Sequence, residues 1–593
     1  MNTVNIPNIY GQGAIFAYSG LEGENHVFDA MVGTLLGDCV GMEIRTNTQR
    51  YNYNEKGECI GFDNCPGTRA FLYTDFGESK NIYYTAVTSD MITADVLLEN
   101  GEKQPFSILA IAQNVFVVNA PSSVKVYFSV RGEQTASQQN GYTVYTAGGH
   151  TFGFAQKTNG AITVSVLTLG TNVNTDVAAG FNADYNKIIK ERIEFYNNLP
   201  RPAFKSREEE MLYYKCFSIM RSMIYSPEGK AQYRWSTPDR YPHRGMWLWD
   251  TAFHTVGIKH LSCPLAEETL LSMLGCVRED GFLSHMVTPV WQSNITQPPT
   301  LAWAALELYN FGHNKEFLKK AFNNLEAYLE WDIKNRDING NGLPEWVVGD
   351  DPYCRCDESG MDNTPRFDEA TEMDCIDFAA FLANDANCLA KIAEALGYNE
   401  KAEKWHNQFL LLKQKINEIL WDDEDKFYYD RKLSDNKFHK VKSVASFITL
   451  FAEVCTKETA AAMVEHLKNP KEFGTALPIP TVSADYKSYK SKDMFNGTVW
   501  HNFNFLVAFG LEKYGYFEEA AELRRKTMDT INYWYQNAGC VFEFYDSEGT
   551  LAPWMLARKD TTPQPFLPTL KMQSVRDFSW GAMFTIDSII NRK

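Results

Sequence analysis

The sequence predicts two architectures in one chain, an N-terminal antiparallel β-sandwich followed by a double ring of twelve helices. Three observations carry this expectation. The chain has 593 residues, too many for one ordinary core. Before residue 185, short segments rich in Val, Thr, Tyr and Phe alternate with Gly, Asn and Asp turns. From about residue 205 the apolar residues recur at three- and four-residue spacing instead. The expected domains are a β-sandwich over 1–185, a helical linker over 186–204 and a helical domain over 205–593.

The strands come first in the chain. They include NIYYTAVTS from Asn81, ITADVLLENG from Ile92, YTVYTAGG from Tyr142 and AITVSVLTLG from Ala161. In the segment from Ser123, the residues Val124, Val126, Phe128 and Val130 fall two apart, which puts them on one face of a half-buried strand. Many such strands separated by turns build a sandwich. Tyr185 to Leu199 reads as a helix closed by Pro200 and Pro202. Twelve helices are then expected to begin near Glu208, Trp249, Leu265, Pro299, Lys315, Asp374, Asn399, Val441, Lys457, His501, Phe517 and Ser579. KEFLKKAFNNLEAYLEWDIKNR, from Lys315, carries a single buried stripe. No strand-like run of comparable length separates these helices, so a parallel sheet is not expected, and no short solenoid repeat is present. Alternating short and long connections fit six inner and six outer helices.

Composition narrows the function. With 57 basic and 74 acidic residues the formal net charge is −17, which argues against a nucleic-acid partner. The most apolar early stretch, FSILAIAQNVFVV from Phe106, is broken by Gln113 and Asn114 and is too short to span a bilayer. The amino terminus shows no basic region leading into an apolar run. The 12 Cys are scattered, so a reduced, cytoplasmic protein without a membrane partner is expected. Cys354 and Cys356 form a lone C-x-C, and Cys59 and Cys65 stand six apart; neither is a zinc pattern, and no metal is expected there. Asp337-x-Asn339-x-Asn341-Gly342 begins like a calcium loop, but Val348 occupies the position of the closing Glu. A turn between helices is the simpler reading, with an irregular calcium site as its alternative. The sequence has no nucleophile elbow, phosphate loop, dinucleotide fingerprint or H-E-x-x-H. His243, His254 and His285 are grouped in sequence only, and hydrogen-bonded structural roles are expected for them.

Three segments have compositions unusual for helix faces or simple loops. In WSTPDRYPHRGMWLWDTAFH, from Trp235, Trp247 and Trp249 lead into Asp250 at a helix start. Asp250 reads either as a helix N-cap or as a proton donor held between indoles, where burial raises a carboxyl pKa and the helix dipole lowers it. From Glu345 to Asp377 there are 11 acidic residues, with Ser359, Asn363 and Thr364 interspersed in DESGMDNTPRFD. A solvated charge run explains it, and so does a set of acceptors and donors for sugar hydroxyls. In GCVFEFYDSEGT, from Gly539, Glu543 lies among aromatic residues; the plain reading is an exposed hairpin turning at Ser547 to Gly549, with Asp546 and Glu548 as rival carboxylates.

Eight pieces occur in one order across residues 205–593: RGMWLWDTAFH, TQPPTLAWA, NGLPEW, ESGMDNTPRF, ILWDDEDKFYYDR, GTVWHNFNFLVAFGLEKYGY, FEFYDSEGT and FSWGAM. The ordered set resembles glycoside hydrolase family 63, the group of processing α-glucosidase and mannosylglycerate hydrolase, with the trehalase family close behind. The resemblance implies an (α/α)6 barrel and inverting hydrolysis of an α-glycosidic bond in a small α-glucoside or α-mannoside, without a cofactor. It implies Asp250 as general acid and Glu543 as general base, with Trp247, Trp249, Gln297, Glu358, Asp362, Asn363, Arg366, Trp500 and Trp580 lining the sugar pocket. Inversion needs room for water, so the two carboxyls are expected about 6.5–9.5 Å apart. The rival expectation is a carbohydrate-binding protein that keeps the barrel without turnover.

Overall fold

The computed structural model describes residues 69–592 apart from 78–80, 113, 148–149, 226, 228, 240–242, 244, 290, 352 and 560–573. Before residue 69 it describes the backbone of strands at 15–18, 30–36, 39–45, 49–53 and 59–64. The side chains of Cys59, Cys65 and Arg244 lie outside the described residues. The backbone divides into two compact units, one of residues 1–228, 239–244 and 534–540, the other of residues 229–238, 245–533 and 541–593.

The first unit carries two large antiparallel sheets and a two-stranded one of Gln49–Tyr53 and Cys59–Asn64. The eight-stranded sheet runs in the order Gln134–Gln139, Tyr142–Ala147, His150–Asn159, Ile162–Leu169, Val115–Pro121, Lys103–Ala112, Met91–Leu97 and Asn81–Val87. The five-stranded sheet orders Ile15–Tyr18, Ala30–Leu36, Cys39–Arg45, Arg69–Asp75 and Lys125–Arg131. In the last of these strands Val126, Phe128 and Val130 are buried while Lys125, Tyr127 and Ser129 are exposed, as the two-residue period expects. Helix α1 (Val173–Asn182) sets Val173 and Val177 on the larger sheet beside Val115, Val117 and Val166. Helix α2 (Tyr185–Asn197), the expected linker, instead packs Ile188, Ile189 and Ile193 against Met91 and Leu109. Helix α3 (Arg207–Ser222) also falls within this unit, where Ser218 Oγ accepts the N–H of Ser89.

The second unit is helical. Its helices are α4 (Leu248–Leu261), α5 (Cys263–Leu274), α6 (Leu301–Gly312), α7 (Lys315–Asn335), α8 (Ile376–Leu396), α9 (Asn399–Lys415), α10 (Ile448–Phe451), α11 (Lys457–Lys468), α12 (His501–Lys513), α13 (Phe517–Ala538, its end in the first unit) and α14 (Ser579–Ile590). The even-numbered members form a closed circuit: α4 packs on α6, α6 on α8, α8 on α10, α10 on α12, α12 on α14 and α14 back on α4. Odd-numbered helices follow them, α5 against α4 and α6, α7 against α6 and α8, and α9 against α8. Sequence explains who sits inside: α4 buries nearly every residue, whereas α7 and α9 bury one stripe. Among the described residues no helix is long and apolar enough to cross a membrane.

The circuit closes on small residues. A Cβ on Gly257 of α4 would stand 2.6 Å from Met583 Cα of α14, and one on Gly510 of α12 would stand 2.5 Å from the Phe451 nitrogen of α10. Those helices touch backbone to backbone, which only glycine permits. Gly257→Val is therefore expected to destabilise the helical unit by about 3 kcal/mol or more through overpacking. A thermal unfolding transition unchanged from the parent protein would refute this closure.

Candidate active site

Site residues gather at the N-terminal ends of the inner helices. Trp249 and Asp250 lie in the first turn of α4, Gln297 shortly precedes α6, Trp500 is the residue before α12, and Trp580 is the second residue of α14. The N-cap of α4 is Trp247 rather than Asp250, and Asp250 is three residues inside and buried. Outer helices α5, α7 and α11 are capped by Ser262, Asn314 and Thr456 side chains from their own sequence. The inner helices α4, α6, α8, α12 and α14 have no such side-chain cap. Their free N–H groups find distant acceptors instead. Gln297 Oε1 accepts Trp249 N at 3.5 Å, Asp385 accepts Ala302 N and Trp303 N at 2.8 and 3.0 Å, and Asp430 accepts Ile376 N at 3.0 Å. Each such bond braces one helix end against another segment.

An aromatic chain connects the two catalytic candidates. Trp249, next to Asp250, meets Trp580 edge-on at 5.6 Å; Trp580 meets Trp500 at 5.5 Å. Trp500 is sandwiched between Phe495 at 4.0 Å and Phe544 at 5.0 Å, and Phe544 adjoins Glu543. The backbone repeats this link, because strand Phe544–Asp546 pairs with Thr498–Trp500 in the register Trp500 to Phe544. That pairing replaces the hairpin expected around Ser547. Asp546 spends its carboxylate on the turn, accepting Thr550 N and Leu551 N at 2.8 and 2.9 Å, which leaves Glu543 as the buried acid of this segment that the turn does not consume.

Glu543 is held from three sides. Arg558 donates Nη2 to Oε1 at 2.9 Å and Nε to Oε2 at 3.4 Å, while Val575 N reaches Oε2 at 3.3 Å. The acidic loop lies on Trp249: Gly360 has φ +68°, and a Cβ there would stand 2.4 Å from Trp249 Cζ2. The same loop presents Asp362, which pairs with Lys559 at 2.7 Å. Burial raises the Asp362 pKa, but Lys559, Arg558 and His285 outweigh burial and hold it below the usual range. Asn363 donates to Asp493 O at 3.2 Å and accepts Phe495 N at 3.0 Å, tying this loop to the segment before Trp500.

Two expected pocket residues are occupied within the protein. Arg366 has no exposed surface and forks onto Asp377 at 2.9 Å and Asp430 at 2.7 Å. Glu358 pairs with Arg336 and accepts Thr296 N at 3.2 Å and Val347 N at 2.9 Å. They anchor the loop from which Asp362 and Asn363 project. The histidines take separate partners: His254 lies between Ser236 Oγ and Ser579 Oγ, and burial pushes its pKa down to about 3. His285 bonds Ser293 Oγ at 2.6 Å, and His243 pairs with Asp239. In the calcium-like loop Asn339 and Asn341 both donate to Asp374, at 3.0 and 2.9 Å. Cys354, Asp357 and Asp362 cluster, but the Lys559 ammonium stands among them, 3.0 Å from the Cys354 sulfur. Sequence reasoning misses Arg558 and Lys559; their only signal is an adjacent basic pair 15 and 16 residues after Glu543.

Comparison with known proteins defines the class. The model of the mannosylglycerate hydrolase MGH1-like glycoside hydrolase domain matches residues 241–552. A mannosylglycerate hydrolase of Rubrobacter radiotolerans is 24% identical over 62% of this chain and 95% of that protein. An uncharacterized protein of Borreliella burgdorferi is 28% identical over 42% of this chain, and the match spans half of that protein's length. Among solved structures, the GH63 mannosylglycerate hydrolase of Thermus thermophilus in complex with Tris has TM-score 0.52 and 21% identity, covering 63% of this chain and 99% of that one. A bacterial glucoamylase complexed with acarbose has TM-score 0.58 and 11% identity over 99% of this chain and 97% of that one, a likeness of fold that takes in the N-terminal sheets. The protein is a glycosidase. It belongs to the mannosylglycerate hydrolase MGH1-like glycoside hydrolases.

Removing Arg366 would leave Asp377 and Asp430 as uncompensated buried charges, a loss of about 3–5 kcal/mol. Arg366→Met is expected to lower the unfolding midpoint while the folded fraction keeps its KM. A raised KM with unchanged stability would return Arg366 to the sugar.

Proposed function

We propose that the helical circuit is an (α/α)6 barrel that hydrolyses an α-glycosidic bond with inversion, Asp250 serving as general acid and Glu543 as general base. The observation that supports this reading is the aromatic chain from Trp249 through Trp580 and Trp500 to Phe544, which links two carboxyl-bearing segments 293 positions apart. Asp250 is buried in the first turn of α4, and the proposed role has it carry the proton. The neighbouring Arg558 favours an ionised Glu543. An acid and a base in one site require environments that set their protonation states apart.

In the reaction Asp250 donates its proton to the leaving oxygen as the glycosidic bond breaks. Glu543 removes a proton from water, whose oxygen bonds to the anomeric carbon from the other face. The half-buried Trp247 indole stacks on the sugar ring, and Asp362, Asn363 and Gln297 bond its hydroxyls. The substrate we favour is a small α-mannoside or α-glucoside of the kind the relatives' names describe. All nine described cysteines are free, which suits a cytoplasmic enzyme. Carboxyls and water suffice for this chemistry, so no cofactor is proposed.

Asp250→Asn and Glu543→Gln are each expected to lower turnover by about 100-fold or more while the fold persists. Proton NMR should show the β-anomer released first from an α-linked substrate. Release of the α-anomer would exclude inversion, and binding without turnover across α-mannosylglycerate, α-glucosylglycerate and trehalose would favour a catalytically silent binding protein.

A further inference from the structure

The face of the eight-stranded sheet beneath α2 changes character along its strands. Met91 and Leu109, which stand opposite one another, are buried there against Ile188, Ile189 and Ile193. The next row on the same face is polar. Asn119 stands opposite Ser107, and Ser107 opposite Thr93. Residues paired in this way share a face. In strand Asn81–Val87 a shift of register between Tyr84 and Ala86 sets Thr85 apart, and its hydroxyl meets that of Thr93 at 2.7 Å. Three hydroxyls and an amide thus cross four strands where a helix-covered face would ordinarily carry apolar residues.

A groove of about 390 Å³ lies over this row, walled from α2 by Tyr185, Ile189 and Ile193. Tyr185 donates its hydroxyl to Gly180 O at 2.7 Å, which leaves its apolar surface to the wall. Ser107 lines the groove and is only 4% exposed, yet its Oγ has no hydrogen-bond partner among the described residues. A buried hydroxyl in that state costs free energy, which a polar atom placed in the groove would recover. The lining holds one carboxylate, Asp95, and no Lys or Arg, so it favours a neutral ligand over an anion. Hydroxyl and amide groups both donate and accept, and beside an aliphatic wall they match a molecule with hydroxyls at its rim and C–H groups on its faces. The volume suits one or two sugar rings, at the small end of ligand sites.

We propose that this groove is a second, non-catalytic saccharide site: a neutral mono- or disaccharide bonds Ser107, Thr93 and Asn119 through its hydroxyls and lays a C–H face on Ile189 and Ile193. The site lies wholly within the first unit and uses none of the residues assigned to hydrolysis. A glycosidase works among such sugars, and here they are held where neither Asp250 nor Glu543 takes part.

The test follows the Ile189 and Ile193 methyl signals by NMR in the full-length protein, assigned with Ile189→Val and Ile193→Val, while mannose, glucose, trehalose and inorganic phosphate are added separately. At least one sugar is expected to shift both signals saturably, with a Kd of about 1–10 mM. Phosphate should leave them in place. Ser107→Val removes the buried hydroxyl, and Asn186→Trp fills the groove from an exposed position of α2. Each is expected to weaken the response at least about tenfold while the remaining methyl signals keep their positions. Asn186→Trp alone decides the matter if Ser107→Val does not fold. Silence of both methyls towards all three sugars overturns the proposal, as does a linear response or one that neither variant weakens. A shift with phosphate instead overturns the ligand class. Hydrolysis of α-linked substrates is a separate measurement, so the failure of either reading leaves the other standing.

Discussion

The structure of the catalytic unit depends on one contact, the return of α14 to α4 that closes the inner circuit of helices. Until the last helix of the chain meets the first of the unit, Trp580 and Trp249 are unrelated; once it does, their indoles stand 5.6 Å apart. Gly257 makes the contact possible by omitting a side chain where α14 crosses. His254 adds a polar tie at the same seam, accepting or donating between Ser236 and Ser579 without carrying charge. Burial explains the absence of charge, since an imidazolium there would lose its hydration.

The inner helix ends complement that closure. A helix that caps itself satisfies its terminal N–H groups locally and says nothing about its neighbours. Those of α4, α6 and α8 are satisfied by Gln297, Asp385 and Asp430, so their order is coupled to segments far away in sequence. Asp430 also shares Arg366 with Asp377, and Asp377 accepts the Trp346 indole N–H at 3.1 Å. Trp346 in turn stacks on Phe378 at 3.7 Å. The loop that carries Asp362 therefore rests on a network of paired and hydrogen-bonded charges, which is the condition under which buried ions do not destabilise a fold.

The helices are legible in the sequence because periodicity is local. The twelve expected starts correspond in order to α3–α14, and the loosest, near Val441, belongs to the shortest helix, α10. What periodicity cannot express is pairing between remote side chains. The family resemblance implies Glu358 and Arg366 as sugar ligands, yet their partners Arg336, Asp377 and Asp430 are chosen by tertiary placement. Arg558 and Lys559 are silent for the same reason: a basic pair acquires meaning only when Glu543 and Asp362 are brought beside it. The strand at Phe544–Asp546 cannot be paired from sequence either, since its partner lies more than forty residues upstream rather than across a turn. Helix α2 reads as a spacer yet covers part of the larger sheet, because its apolar face is plain in sequence but the surface it meets is not.

The separation of duties between helices and the loops before them has a consequence for ancestry. Closure is written into the bodies of α4, α10, α12 and α14, whereas Gln297, Asp362, Asn363, Arg558 and Lys559 stand on connecting segments. Descendants of one gene could therefore drift from one diet to another by exchanging connectors, with the scaffold inherited intact.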